Sequence, residues 1–247
     1  LAEQKKYHPS LSLELESDYQ LEDDSFVVSL FARYDEQDSE RSHFDVREAS
    51  WTHVGDSWEL KAGVSKVFWG VTESRHLVDV VNQSDSVENL DGEDKLGQVM
   101  TKFSLEQDWG TIDMFWLPYF RERTFAGADG RFLALQNPLN PGLPTVVDTD
   151  AAEYESSAEQ WHSDFAIRYS HYIGDLDFAV SHFSGTSREP FFKIDLSRIS
   201  SESKKRTRSL FDNFKIKSFN FEKSFILSTG IVSPLPFPGK GFVLDLI

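Results

Sequence analysis

The sequence predicts an all-β fold, an antiparallel up-and-down β-barrel, from three observations. Apolar and polar residues alternate with a period of two through residues 10–185, which is typical of strands with one apolar face. The connections between these segments are short and long in turn. No stretch approaches the roughly 18 consecutive apolar residues that a membrane-spanning helix needs.

The alternation predicts eight clear strands and an atypical C-terminal segment. In the first strand Leu11, Leu13 and Leu15 share one face, and Glu14 and Glu16 share the other. The third strand has the weakest alternation. In chain order, the eight segments are 11–16, 26–34, 43–52, 58–65, 99–106, 112–117, 165–170 and 176–181.

The connections favour a transmembrane barrel over a soluble sandwich. Three are short: His53–Ser57, Asp108–Gly110 and Ile173–Asp175. Two are long and polar, 72–97 and 121–160. Transmembrane barrels combine tight periplasmic turns with long outer loops, and a strand of about 9–11 residues crosses the bilayer. A soluble sandwich has no reason to place every long loop at one end.

The polar face of the predicted strands carries charges of both signs. This suits a hydrated or plugged lumen better than a dry core. The alternative is a soluble antiparallel sheet with one wet face. The candidates for lining and selectivity are Arg33, Lys61, Lys66, Lys102, Asp113, Arg121, Arg123 and Arg168.

Composition narrows the class of partner. A net charge of −16 argues against nucleic acid, because binding phosphates needs clustered Lys and Arg. Aromatic residues make up 14% of the chain, enough to supply the girdles found at both membrane interfaces. Cysteine is absent, which fits an oxidising envelope compartment but also many cytosolic proteins.

The two ends depart from a complete barrel. Short turns follow the odd-numbered strands, from which we expect one strand to be missing upstream of Leu1. Residues 190–247 carry a net charge of +5, against −21 for residues 1–189, and they alternate poorly. We therefore expect truncation, or a change of reading frame after about Pro190. The alternative is a basic interaction tail.

One stretch carries a family resemblance. The pair Trp69-Gly70 is followed by Asp79-Val80-Val81-Asn82 and by Asp85. With HFDVREASWTHVGDSWEL, QDWGTIDMFWLPYFRERTF and FSGTSREP, it resembles uncharacterised proteobacterial outer-membrane β-barrel (porin-like) proteins related to the DUF1302 family. The likeness covers about residues 10–190. It implies an outer-membrane barrel, with channel formation as the expected activity, and names no substrate.

Two loop segments contain residues that could carry chemistry. Glu73, His76 and Asp79 would share one face of a helix and could bind a metal or act in acid/base catalysis. A short loop helix with solvated charges is the favoured interpretation, because the spacing lacks a metal-site signature. The acidic stretch 88–94 does not match the calcium-binding EF-hand loop. We predict no metal site and no cofactor.

Arg121 and Arg123 lie where a strand enters the longest loop. They could form an anion-attracting ring at a constriction. The favoured alternative is that they pair with acids of a loop folded into the lumen. His162, Ser163 and Asp164 are adjacent, so a strand would turn them to opposite faces and prevent a catalytic relay. We predict no catalytic residue.

The sequence therefore predicts a passive channel in the bacterial outer membrane. Its partners would be outer-membrane lipid, including lipopolysaccharide, and small solutes that diffuse through a lumen gated by the loops 72–97 and 121–160. Two alternatives remain. One is a soluble or surface β-rich module that binds carbohydrate through loop aromatics. The other is an outer-membrane lipid hydrolase with His76 or His162 as its base.

Overall fold

A computed structural model describes residues 7–68, 80–88, 93–127, 130, 152–154, 156–174, 176–190 and 220–224. They form one nine-stranded antiparallel sheet in which every strand pairs with its neighbours in the chain. The strands are β1 Ser10–Leu21, β2 Asp24–Asp35, β3 His43–Val54, β4 Trp58–Ser65, β5 Gln98–Gln107, β6 Gly110–Leu117, β7 Asp164–Ile173, β8 Leu176–Thr186 and β9 Asn220–Ser224. The prediction of an all-β, antiparallel up-and-down arrangement is confirmed.

The connections sort by length onto the two ends of the sheet. One end, the tight-turn end, has the connections 22–23, 55–57, 108–109 and 174–175. The other, the long-loop end, has 36–42, 66–97, 118–163 and 187–219. Two-residue turns require left-handed backbone. Glu22 (φ 26°) and Gly174 (φ 62°) supply it in the first and last of the tight turns.

One face of the sheet, the apolar face, is exposed from β1 to β8. The register aligns its side chains in rows across neighbouring strands, as in the pairs Leu15–Leu30 and Met114–Ile167. Leu30 and Phe103 on this face are half-buried. Among its exposed large apolar residues, the exposed fraction runs from 36% at Val180 to 75% at Leu11. Others are Leu13, Leu15, Tyr19, Phe26, Val28, Tyr34, Phe44, Trp58, Val99, Met114, Trp116, Phe165, Ile167 and Ile173.

The opposite face, the polar face, is more enclosed and carries the charges. Asp45, Ser104 and Asp113 are buried there. The only hydrophobic cluster of buried residues that the described part of the chain shows also lies on this side, at the long-loop end. It consists of Val81, Met100, Phe115, Leu117, Ala166 and Phe183. The sheet therefore exposes its continuous apolar surface and buries its charges.

Two details depart from the expected strands. The β2–β3 register shifts between Ser29 and Leu30, which gives β3 an extra residue at Arg47. β9 was not predicted, and it pairs with β8 in the C-terminal segment. Within the described residues no helix is long and apolar enough to cross a membrane.

Candidate functional site on the polar face

Ion pairs cross the polar face from strand to strand. Lys61 Nζ lies 2.9 Å from Glu48 Oε1, which also accepts hydrogen bonds from the hydroxyls of Ser50 and Ser65. Near the sheet edge, Arg47 Nη1 lies 3.3 Å from Glu14 Oε1. Both cations are half-buried; the carboxylate of Lys61 lies on the adjacent strand β3, and that of Arg47 lies on β1, two strands away. Pairing of this kind offsets the cost of removing a charge from water.

A second group of charges centres on Asp113. Ser104 Oγ donates to Asp113 Oδ1 at 2.6 Å, and Lys102 Nζ lies 3.5 Å from the same oxygen. Arg168 Nη1 lies 3.5 Å from Asp113 Oδ2, and Lys102 is also 3.5 Å from Glu59. The register explains the group, because Asp113 lies directly opposite both Ser104 and Arg168.

Residues 80–88 and 93–97, here called the inward segment, cover the polar face at the long-loop end. Its two parts are joined by backbone hydrogen bonds of 2.8 Å, from Asp85 N–H to Asp94 O and from Leu96 N–H to Gln83 O. Asn82 anchors the segment to the end of β4. Its Nδ2 donates to Ser65 O at 2.9 Å, and its Oδ1 accepts the Val67 N–H at 2.9 Å.

Five arginines hold the inward segment in place, and each binds a different acceptor on it. Arg33 donates to both carboxylate oxygens of Glu88, with Nη2–Oε2 at 2.6 Å. The other four donate to acceptors at 3.0–3.1 Å: Arg41 to Val87 O, Arg121 to Gly97 O, Arg123 to Gln83 Oε1 and Arg188 to Val81 O. These donors come from β2 and from three separate connections.

Arg188 is the most buried of the five, with 5% of its side chain exposed. Its Nη1 donates to Asp164 Oδ2 and to Thr186 O, both at 2.7 Å. The guanidinium carbon lies 5.0 Å and 5.2 Å from the ring centres of Phe120 and Phe183. Burial lowers the pKa of the guanidinium, and the adjacent Asp164 opposes that effect.

The start of the connection 118–163 packs beside the inward segment. Thr124 Oγ1 donates to Asp85 Oδ1 at 2.9 Å, and Gly127 N–H donates to Asp38 Oδ1 at 3.0 Å. Tyr154 donates to Glu122. Burial and this hydrogen bond raise the pKa of the Tyr154 phenol. The Thr124 contact joins the two long connections, the Gly127 contact joins 118–163 to the connection 36–42, and the Tyr154 contact lies within 118–163.

Rows of aromatic rings lie towards both ends of the strands. Towards the tight-turn end, His53 and Trp58 have ring centres 5.2 Å apart, and Trp109 stacks on Tyr169 at 6.2 Å. Towards the long-loop end the rings are Tyr34, Phe44, Trp116 and Phe165. Aliphatic residues such as Leu13, Leu15 and Ile167 lie between the two rows.

The structure places the predicted lining residues in two settings. Arg33, Lys61, Lys102, Asp113 and Arg168 are on the polar face, each in an ion pair. Lys66 follows the last residue of β4 and is half-buried. Their role in lining a pore stays a prediction.

Arg121 and Arg123 belong to the contacts that hold the inward segment. Arg121 Nη2 lies 2.5 Å from Asp45, and Arg123 Nη2 lies 2.7 Å from Glu189. Both arginines are thus paired with carboxylates and bound to the inward segment. Their acids lie on β3 and just after β8, whereas the sequence predicted acids of a folded-in loop.

The loop residues and the catalytic alternatives that the sequence suggested do not form a site among the described residues. Glu73, His76 and Asp79 lie outside the described residues. His162 Nδ1 lies 2.9 Å from Asp164 Oδ1, but Asp164 also binds Arg188. Among the described residues, no group of three or more His, Asp or Glu side chains is arranged to hold a metal ion.

Sequence reasoning missed Asn82, Glu88 and Arg188 as functional residues. Asn82 stood in the quoted D-V-V-N stretch and Arg188 in FSGTSREP, so both were noticed only as parts of a resemblance. Their contacts join residues distant in the chain, which no spacing rule reports. Comparison with family models, with curated proteins and with solved structures found no match to this chain.

Proposed function

We propose that this chain is a bacterial outer-membrane β-barrel protein that acts as a porin-like, passive channel. The observation that carries the proposal is the inverted arrangement of the sheet. Its continuous apolar face is exposed, and its charged face is the more enclosed of the two from β2 to β8. A transmembrane barrel has this arrangement because its outer wall faces lipid and its lumen holds water.

The exposed apolar area is the strongest argument for a lipid partner. Large apolar side chains on every strand from β1 to β8 share one face. Soluble monomers rarely expose contiguous apolar patches of more than a few hundred Å². Removing one large apolar side chain from water contributes about 1.5–3 kcal/mol. A bilayer would supply that stabilisation along the whole row of strands.

The length of the strands and the aromatic rows fit the same partner. The strands β1 to β8 have 8 to 12 residues. Tilted barrel strands need about 9–11 residues to cross the hydrocarbon. Aromatic rings favour the two headgroup regions, which is where the two rows would lie. The tight-turn end would then be periplasmic, and the long-loop end would meet lipopolysaccharide.

In this proposal small solutes diffuse along the polar face, and the inward segment narrows their path. The ion pairs allow that face to carry charged side chains next to water, and on the described strands they leave no single charge buried without a partner. The resemblance to porin-like proteins related to the DUF1302 family points to the same activity. It identifies no solute.

A soluble or surface carbohydrate-binding module is the second candidate. It is favoured by the exposed rings towards the tight-turn end, such as Trp58 and Trp109. That function uses a few rings and gives no role to the aliphatic residues on the same face of every strand. The membrane proposal accounts for both sets of residues.

Folding the full chain in detergent and in lipid vesicles tests the proposal. We expect a folded, protease-resistant species only when detergent or lipid is present, with heat-modifiable migration on a gel and ion current across a planar bilayer. A protein that is soluble, monomeric and folded without detergent would overturn the membrane assignment. An inserted protein that carries no current would overturn the channel.

A further inference from the structure

We infer that the channel formed by this chain prefers cations to anions, an inference that rests on the proposed function. Its basis is the balance of charge on the described part of the polar face and at the tight-turn end. The candidates drawn from the sequence were mostly basic residues. The structure pairs all of these basic residues except Lys66 with carboxylates, whereas some acidic residues of the polar face have no cation partner among the described residues.

Every Lys and Arg on the described strands β1 to β8 has a carboxylate partner. The pairs are Arg33–Glu88, Arg47–Glu14, Lys61–Glu48, Lys102–Glu59 and Arg168–Asp113. The arginines reaching in from the long-loop end also have acids, in the pairs Arg41–Asp35, Arg121–Asp45 and Arg188–Asp164. No strand cation among them is left to attract an anion.

Three acids on the same face lack such a partner. Glu16 and Asp18 lie on β1, and Glu106 lies near the end of β5. All three side chains are exposed. These carboxylates are therefore accessible to water and solutes, and they have no ion-pair partner among the described residues.

The unpaired acids lie on the wall that the inward segment leaves uncovered. The segment buries the long-loop ends of β5 and β6, as shown by Met100 at 2% and Leu117 at 0% exposure. β1 is exposed along its whole length. β1 is the edge strand of the sheet and pairs only with β2. In the proposed channel it would form the part of the wall beyond the inward segment, so a solute would meet Glu16 and Asp18 there.

The tight-turn end adds negative charge of its own. The turn segments 19–26, 53–60, 105–112 and 170–178 contain no Lys or Arg, and each contains at least one Asp or Glu. Glu22, Asp23, Asp56 and Asp108 are exposed there. This mouth would concentrate cations and repel anions before they enter, since charge of one sign at a low-dielectric opening focuses the field.

The test is the reversal potential of the full chain in a planar bilayer of neutral lipid under a potassium chloride gradient. We expect a potassium-to-chloride permeability ratio of about 3–10 at low salt, falling towards one in about 1 M salt because the charges are then screened. The variant is the double substitution Glu16→Gln/Asp18→Asn. The matched control is Glu36→Gln/Glu40→Gln, which removes two exposed acids at the long-loop end.

The inference is supported if the potassium-to-chloride permeability ratio of the parent protein is above one, falls at least twofold in Glu16→Gln/Asp18→Asn and is unchanged in Glu36→Gln/Glu40→Gln. A ratio at or below one in the parent protein overturns the cation preference and leaves the channel intact. Equal loss in both double variants overturns the assignment to the uncovered wall. Inserted protein without current overturns the proposed function, and the inference with it.

Discussion

Placing one charge on each face of the same strand tests whether the apolar face meets lipid. Met114 lies on the apolar face of β6, between Phe103 and Ile167 on the adjacent strands, with 42% of its surface exposed. Thr111 lies on the polar face of the same strand, directly opposite Glu106. The variants are Met114→Arg and Thr111→Arg, which introduce the same side chain three residues apart.

The two environments predict very different costs for Met114→Arg. Arg at the middle of the lipid face of a barrel costs about 2–4 kcal/mol. In water an exposed substitution away from special features stays within about 0.5 kcal/mol. Thr111→Arg would place its guanidinium near the carboxylate of Glu106, so its cost is small in either environment. The difference between the two variants is therefore the informative quantity.

The assay is reversible urea unfolding of the full chain in phosphatidylcholine vesicles, followed by tryptophan fluorescence. We expect Met114→Arg to lower the free energy of unfolding by about 2–4 kcal/mol and Thr111→Arg by less than about 0.5 kcal/mol. Equal small costs would refute a lipid-facing apolar surface. A large cost for Thr111→Arg alone would mean that the two faces have been assigned the wrong way round.

Three further predictions concern the inward segment and the aromatic rows. Glu88→Gln weakens the charged hydrogen bonds from Arg33, which are worth about 1.5–3 kcal/mol. Because these bonds hold the inward segment in place, the single-channel conductance should rise. Unchanged conductance would mean that the segment does not narrow the path. Arg188→Leu leaves Asp164 buried without its cation. Limited proteolysis of this variant should cut between residues 80 and 97 at least several times faster than in Arg188→Lys. Equal rates in the two variants would contradict the anchoring role of the guanidinium. In a variant that keeps Trp109 as its sole tryptophan, lipids brominated near the headgroup should quench the fluorescence more than lipids brominated near the ends of the acyl chains. The reverse order would place the aromatic row of the tight-turn end inside the hydrocarbon.

The strand pattern was predictable from the sequence wherever alternation is unbroken. The weak third strand shows why it failed locally. In β3 the apolar face takes Phe44 and Val46, then Ala49 and Trp51, so the pattern changes from even to odd positions. The extra residue at Arg47 causes that change. A single bulge thus shifts every later side chain by one position.

β9 was unpredictable for a different reason. Its few registered positions, such as the pairs Gly185–Phe221 and Thr186–Asn220, are backbone pairings to β8 with a register shift. Backbone hydrogen bonds place no requirement on apolar periodicity. The sequence SKKRTRSLFDNFKIKSFNFEKSF alternates only in short pieces that do not stay in phase, such as Phe214–Ile216 and Phe219–Phe221, so it does not define a strand.

For the candidate site, the sequence predicted the face of the sheet on which each charged residue lies, but it could not predict which carboxylate pairs with each cation. Alternation places Lys61, Lys102 and Arg168 correctly on the polar face, because the side-chain period of a strand is two. It cannot report which carboxylate lies beside each one, since that depends on the register between strands. The contacts of Arg121 with Gly97 and Asp45 also depend on how two long connections fold back.

One constraint on the polar face accounts for its ion pairs and for the proposed preference for cations. A half-buried cation needs a carboxylate nearby, because removing an unpaired charge from water is costly. Each strand cation therefore takes up one acid. In a chain with 41 acidic and 25 basic residues, acids must remain over. Acids that lack an ion-pair partner lie where water reaches them, as at Glu16, Asp18 and Glu106. Water-filled space is also where ions move, so the residues excluded from pairing are the residues that a permeating ion meets. A preference for cations therefore requires no dedicated filter, and weakening one pair, as in Glu48→Gln, should shift it towards anions by freeing Lys61.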